Sequence, residues 1–197
     1  MAVSPRPYHH GNLRTALLEA AERALARGGV QELSLRELAR EIGVSHAAPR
    51  RHFPGKQALL DALAQDGFER LGDELASAVA EAAPGFREQL KALARAYVRF
   101  ATEHAALLEL MYAGKHRPGA DRVREAADHA FEGPLAVMEA GHRAGEVAAD
   151  FRRAGLIAWA AFHGLASMAN GGLLDDAPLD PLVDDAVEQL IDGLRPR

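Results

Sequence analysis

Apolar residues recur at spacings of three and four along almost the whole chain, and no stretch shows the two-residue alternation of a half-buried strand. Leu13, Leu17, Ala20 and Ala24 share one helical face, and Gly28-Gly29 predicts the end of that helix. A second helix is expected to open at Ser34, where "SLRE" spaces Ser34 and Glu37 as a capping box, each side chain reaching the other's backbone amide. Leu35, Leu38 and Ile42 form its apolar stripe and Gly43 stops it. A short third helix is expected from Ser45 to about Phe53. "FPGK" then breaks the chain before a long fourth helix, from about residue 56 to 83, that keeps Leu60, Leu63, Leu71, Leu75 and Val79 in helical period. At 1.5 Å per residue it would reach roughly 40 Å. Further helical patterns cover about 86–104, 106–113, 119–143, 151–172 and 180–194, separated by Gly114, Pro118-Gly119, Gly145 and the stretch from Gly171 to Pro181.

The pattern predicts an all-α fold. A three-helix N-terminal head, residues 1–56, leads through the long fourth helix into a helical bundle, residues 57–197, with no internal repeat or low-complexity linker between them. Within the head, two short helices joined by a glycine-containing turn and braced by a first helix have the outline of a helix-turn-helix.

Composition narrows the setting. The 197 residues are 48% hydrophobic, enough for a fair-sized core, and contain no cysteine, which excludes disulfides and suits a reducing cytoplasm. The N-terminal "MAVSPRPYHHGNLR" lacks the apolar core of a secretory signal, and no run approaches the ~18 apolar residues of a membrane span. A cytoplasmic location without membrane contact is expected. The net charge of −5 conceals an asymmetry: residues 1–56 carry nine Lys/Arg against five Asp/Glu, a net of +4, and the remainder carries −9. A basic head on an acidic body points to a polyanionic partner for the head.

The proline in "GVSHAAPRRHFPGK", residues 43–56, bears on that partner. With Ser45 as N-cap, Pro49 falls in the first turn, where it removes only the first helical bond. If the helix starts one turn later, Pro49 occupies the favoured first position. Either way Pro49 and Phe53 share a face and pack inward with Val44, leaving His46, Ala47, Arg50 and Arg51 on the other side. Ser45 offers a hydroxyl beside a helix N-terminus, and Arg50, Arg51, His52 and Lys56 supply donors suited to phosphate oxygens or a guanine edge. Small Ala47 and Ala48 permit close approach to a groove.

"YHHGNLRTALLEAA", "LSLRELAREIGVS" and "RRHFPGKQALLDAL", spanning residue 8 to about 64, resemble the DNA-binding head of TetR/AcrR transcriptional regulators in order and spacing. The resemblance implies that Ser45, His46, Ala47, Arg50, Arg51 and His52 face the major groove of double-stranded DNA and that Lys56 meets phosphate. The family most often has tyrosine, a phosphate ligand, where this chain has Arg50, which could keep that role or turn to a base. "AWAAFHGLASMA" is similar to the W-x-x-x-H-G signature of one C-terminal subgroup through Trp159, His163 and Gly164. What the resemblance implies overall is a cytoplasmic homodimer on a palindromic operator, most often a repressor released by a small effector held in the body.

In the body, Trp159, Phe162, His163 and Ala166 fall on one helical face, and Phe100, Met111, Tyr112, Phe131 and Met138 lie on other helices. Singly, each reads as ordinary core. Together with the family resemblance they suggest a mostly apolar ligand pocket, with His163 as the group that orients the ligand. Small residues in 154–169 and the stripe Leu182, Val183, Ala186, Leu190 and Leu194 suit a two-fold interface built from the last two helices. No nucleophile elbow, phosphate loop or zinc-protease motif is present, and Glu125/His129 and Glu139/His142 lack third and fourth ligands, so no enzyme, metal or cofactor is expected. The competing readings are a helical-bundle enzyme with an incidental basic head, and a ligand-binding module without DNA recognition.

Overall fold

The computed structural model describes residues 13–147, 150–174 and 178–194, without the side chain of Leu194. Tyr8 to Asn12 of the first matched stretch and the Leu194 position of the terminal stripe therefore lie outside the described residues. Nine α-helices and one 3-10 turn make up the regular structure of the described residues: α1 (Leu13–Glu32), α2 (Leu35–Glu41), the turn Pro49–Arg51, α3 (Lys56–Glu81), α4 (Phe86–Glu103), α5 (Ala105–Lys115), α6 (Asp121–Ala130), α7 (Glu132–Arg143), α8 (Phe151–Asn170) and α9 (Leu179–Leu194).

The long α3 is the axis. It packs against α1, α4, α5, α6 and α7, while α4 carries α8 and α9 on its other side. Its buried residues Leu59, Leu60, Leu63, Ala64, Phe68, Leu71 and Leu75 follow the helical period, and two glycines let neighbours approach. A Cβ on Gly72 would lie 3.1 Å from the Ala130 backbone, and one on Gly67 would meet Met111. The N-terminal helices dock onto this axis through polar contacts as well as core. Glu22 of α1 accepts two hydrogen bonds from Arg70 of α3, at 2.7 and 3.0 Å, and lies 2.9 Å from His104 at the start of α5. α9 is fastened to α4 by Arg95–Asp184 and by Lys91–Glu188 at 2.8 Å.

Four local expectations are corrected. Ser34 stands at the N-cap of α2 with extended backbone, but its side chain makes no capping bond, and the Glu37 carboxylate pairs with Arg40 instead. The third helix is no α-helix. Pro49 has no N–H to give the Ser45 carbonyl, which accepts from Ala48 one residue earlier, at 3.0 Å; His52 and Phe53 both donate to the Pro49 carbonyl. The segment is a run of turns around Pro49–Arg51. The helix expected over 119–143 is two helices meeting at Phe131 (φ −98°, ψ 1°). Pro134 lies in the first turn of α7, where its missing donor is tolerated, whereas a continuous helix would place its ring against the Ala130 carbonyl. Gly114 does not stop α5, which runs on to Lys115. Gly28 and Gly29 do break helical geometry as the pattern predicts, with one further turn following to Glu32.

Candidate nucleic-acid interface and ligand cavity

The turn after α2 sets the direction of the basic segment. Gly43 takes φ +74°, with its N–H on the Arg40 carbonyl and that of Val44 on the Ala39 carbonyl at 2.9 Å, a Schellman closure needing a left-handed residue. Val44 packs against the core, Pro49 is buried, and Phe53 is 2% exposed with the Arg14 guanidinium 5.8 Å from its ring centroid. With these anchors inward, Ser45, His46, Ala47, Arg50, Arg51 and Lys56 are exposed and His52 is half-buried.

Ion pairing sorts the basic residues of this region into two groups. Arg23 and Arg27 of α1 both pair with Glu41, and Arg40 pairs with Glu37. Arg36, Arg50, Arg51 and Lys56 have no acidic partner among the described residues. Arg36, His46, Ala47, Arg50 and Lys56 border one shallow hollow together with Ser34, while Arg51 and His52 lie outside its rim. Lys56 is the first residue of α3, so its ammonium sits at the positive end of a helix dipole, a placement that an anion would relieve. Arg36 joins the residues expected from the sequence only through the fold, which brings the opening of α2 to the rim of this hollow.

The body holds a cavity of about 380 Å³ between α4, α7 and α8. Phe131, Met138, Trp159 and Phe162 line it, as do Leu75 of α3, Tyr97 and two leucines of α4, Pro134 and Leu135 of α7, and Leu156 of α8. Lys115 from the end of α5 and Arg152 from the start of α8 also reach it. Tyr112 and His163 do not line it but stand directly behind the wall. The Trp159 indole stacks on the His163 ring (5.5 Å, 19°), and Tyr112 meets both rings edge-on. A chain of hydrogen bonds joins the four polar side chains. The Trp159 indole N–H donates to Tyr112 Oη at 3.4 Å, the Tyr112 and Tyr97 hydroxyls are 2.9 Å apart, and Tyr97 Oη is 2.9 Å from His163 Nδ1. Burial pushes both phenols above their ordinary range, outweighing the hydrogen bonds that favour the ionised form, from Tyr97 and then Trp159 at Tyr112 and from Trp159 at Tyr97. The cluster is therefore neutral at its phenols.

Phe100 and Met111 are elsewhere. Phe100 is fully buried beneath the Arg70 guanidinium and beside His104, and Met111 fills the space above Gly67. Of the hydrogen-bonded cluster, Tyr97 and Trp159 line the cavity, whereas His163, 2.9 Å behind the Tyr97 hydroxyl, does not. The signal for Tyr97 was present in the α4 stripe Leu90, Leu93, Ala94, Tyr97 and Ala101, all buried. The two metal-type pairs are otherwise engaged: His129 pairs with Glu132, and His142 Nδ1 lies 2.8 Å from the Val147 carbonyl. No group of three or more possible metal ligands occurs among the described residues.

Residues 17–63 match the family model described as bacterial regulatory proteins, tetR family, and residues 90–194, more than half of the chain, match that of the tetracyclin repressor-like C-terminal domain. The chain belongs to the TetR family. Solved TetR-like structures align along nearly its whole length. A protein of unknown function from Rhodococcus sp. RHA1 shares 48% identity over 98% of this chain and 100% of that one, with a TM-score of 0.90. A tetR-family regulatory protein from Rhodococcus RHA1 aligns at 18% identity over 93% and 97% (TM-score 0.73). FadR from Bacillus subtilis, solved with stearoyl-CoA, aligns at 16% over 92% and 99% (TM-score 0.70). At those last two identities the likeness is one of fold. No curated protein sequence matches this TetR-family chain. No described helix is long and apolar enough to cross a membrane.

Proposed function

We propose that this TetR-family regulator is a cytoplasmic homodimer that binds a palindromic operator through residues 1–56 and releases it when residues 57–197 take up a small, mostly apolar effector. The observation that carries the DNA reading is the sorting of charge on the head. Arg23, Arg27 and Arg40 are neutralised by Glu41 and Glu37, whereas Arg36 at the opening of α2, Arg50 and Arg51 in the basic segment and Lys56 at the start of α3 are exposed and have no ion pair among the described residues. In this reading Ser45, His46, Ala47, Arg51 and His52 enter the major groove, and Lys56, Arg36 and Arg50 at its edge hold phosphate. The 3-10 geometry at Pro49 tightens the segment and keeps Arg50 and Arg51 on its outer side.

The effector reading rests on the cavity and on how its walls connect to the head. Leu75 lines the cavity on the same helix that begins at Lys56, 19 residues or roughly 28 Å away. Lys115 lies at the end of α5, whose body packs against α1. A ligand that shifts α3 or α5 thereby moves the head without unfolding it. The usual scale of such coupling, ~1–3 kcal/mol, is a 5–150-fold change in affinity. The dimer reading rests on α8. Ile157 is 47% exposed and Met168 is 42% exposed, and a Cβ on Gly164 would meet nothing within 4 Å. A second copy packed there and along α9 would cover these positions. Titrating operator DNA with and without a bound cavity ligand tests the mechanism. Affinity falling at least fivefold supports release, and an unchanged affinity with the cavity saturated contradicts it.

A further inference from the structure

The cavity's charge is as uneven as that of the head. Its lining contains two cations, Lys115 and Arg152, and no carboxylate. Other basic residues of the body are matched, Arg87 and Lys91 with Glu188, Arg95 with Asp184 and Arg117 with Asp61, while Arg122, Arg143 and Arg153, which have no ion pair among the described residues, are exposed and lie outside the cavity lining. Neither Lys115 nor Arg152 has an ion-pair partner among the described residues. Each instead lies over an aromatic face: Lys115 Nζ is 5.3 Å from the Tyr112 ring centroid, and the Arg152 guanidinium 5.6 Å from that of Phe151. Asp150, the nearest acid in sequence to Arg152, uses a carboxylate oxygen to accept from the Arg152 backbone amide as the cap of α8.

A half-buried ammonium beside an apolar cavity is stabilised weakly by a ring face and strongly by an oxyanion. The remaining walls are leucines, methionine and aromatic rings, which give an oxyanion's hydrocarbon or ring body its burial. Aromatic walls can also cage a cationic ligand, but two like charges at the same cavity oppose one. We infer that the effector class is an apolar molecule bearing a single anionic group, its body against Trp159, Phe131 and Met138 and its anion held by Lys115 and Arg152. This rests on the effector reading above and narrows it to one chemistry.

Two dyes that differ by one sulfonate separate the possibilities. 8-Anilinonaphthalene-1-sulfonate carries the anion and N-phenyl-1-naphthylamine does not. Trp159 is the chain's only tryptophan and lines the cavity, so quenching of its emission reports binding of either dye, and the substitutions of Lys115 and Arg152 place it. With the full-length protein, the sulfonate should bind tighter by about tenfold. That advantage should disappear in a Lys115→Gln/Arg152→Gln double variant whose affinity for the neutral dye is unchanged, and it should persist in Lys115→Arg. Arg152→Gln alone, at an exposed position, should remove part of the advantage. Equal affinities for the two dyes in the wild type, or an advantage that survives the double variant, would overturn the anion assignment while leaving the cavity as a binding site. Failure of both dyes to quench Trp159 would overturn the cavity reading together with it. Tight sulfonate binding that leaves operator affinity unchanged would support the ligand class and contradict the regulatory reading alone.

Discussion

Arg50 and Lys56 border the same hollow, yet one sits in a turn of the basic segment and the other on the first position of a helix. Lys56→Ala should weaken binding to all DNA sequences alike and reduce the salt dependence of log K by about one unit of slope, read from titrations at several salt concentrations. Arg50 shares its hollow with Lys56 and Arg36, which groups it with phosphate contacts, so Arg50→Ala is expected to act uniformly too. A loss of ~1–3 kcal/mol confined to one base position would instead mark a guanine contact. In the body, Tyr97 and Tyr112 make a second residue-scale prediction. Their phenol pKa values are raised by burial, so the folded state holds these protons more tightly than the unfolded chain does. Stability from this source is intact below the ordinary phenol value of ~10 and is lost as pH rises beyond it. In a spectrophotometric titration, two of the chain's three tyrosines should ionise only together with unfolding. Stepwise ionisation of a folded chain, all three at the ordinary pH, would contradict the buried hydroxyl chain.

Among the elements, the turn between α2 and the basic segment is the most exacting. Gly43→Ala keeps every contact, since nothing lies within 4 Å of the new Cβ, but forces a side chain into the left-handed region. It should destabilise the protein by ~1–2 kcal/mol in urea unfolding and weaken DNA binding further by turning the segment away. This glycine, the α3 axis and the inward face of Pro49 and Phe53 were legible in the sequence because each follows from a local rule: a helix stop, a 3.6-residue period, an i,i+4 pair. The break at Phe131 was less visible, since hydrophobic period continues across it and only Pro134, placed where a first turn tolerates it, marks the spot. The third segment is less regular than its pattern because one missing N–H, at Pro49, is enough to replace α bonds with tighter ones in so short a stretch. Aromatic spacing found four cavity residues, and it also nominated Phe100 and Met111, because spacing says which side of a helix is buried and not which buried side meets empty space. Lys115 and Arg152 gave no signal at all. Each stands at a helix end, where a cation is unremarkable until the cavity beside it is known.

For the whole molecule, the proposed regulation requires two heads at a fixed separation, and on that proposal the α8 surface is where a second copy would pack. Ile157→Asp places a charge on an exposed position, so the monomer fold should be retained while the dimer is lost; sedimentation at micromolar concentration would show half the mass with unchanged helix content. A dimer that survives this change would move the interface elsewhere. The contacts of Glu22 with Arg70 and His104 bind α1 to α3 and to the start of α5, and α3 also carries Leu75 of the cavity wall. The measurement that tests the central claim most directly is selection of bound fragments from a random DNA pool by the full-length protein, followed by titration of the winning sequence at two salt concentrations. The result predicted is a palindromic motif with half-sites about 34–36 Å apart and an affinity that falls steeply with salt. Folded, dimeric protein that enriches no sequence would contradict it.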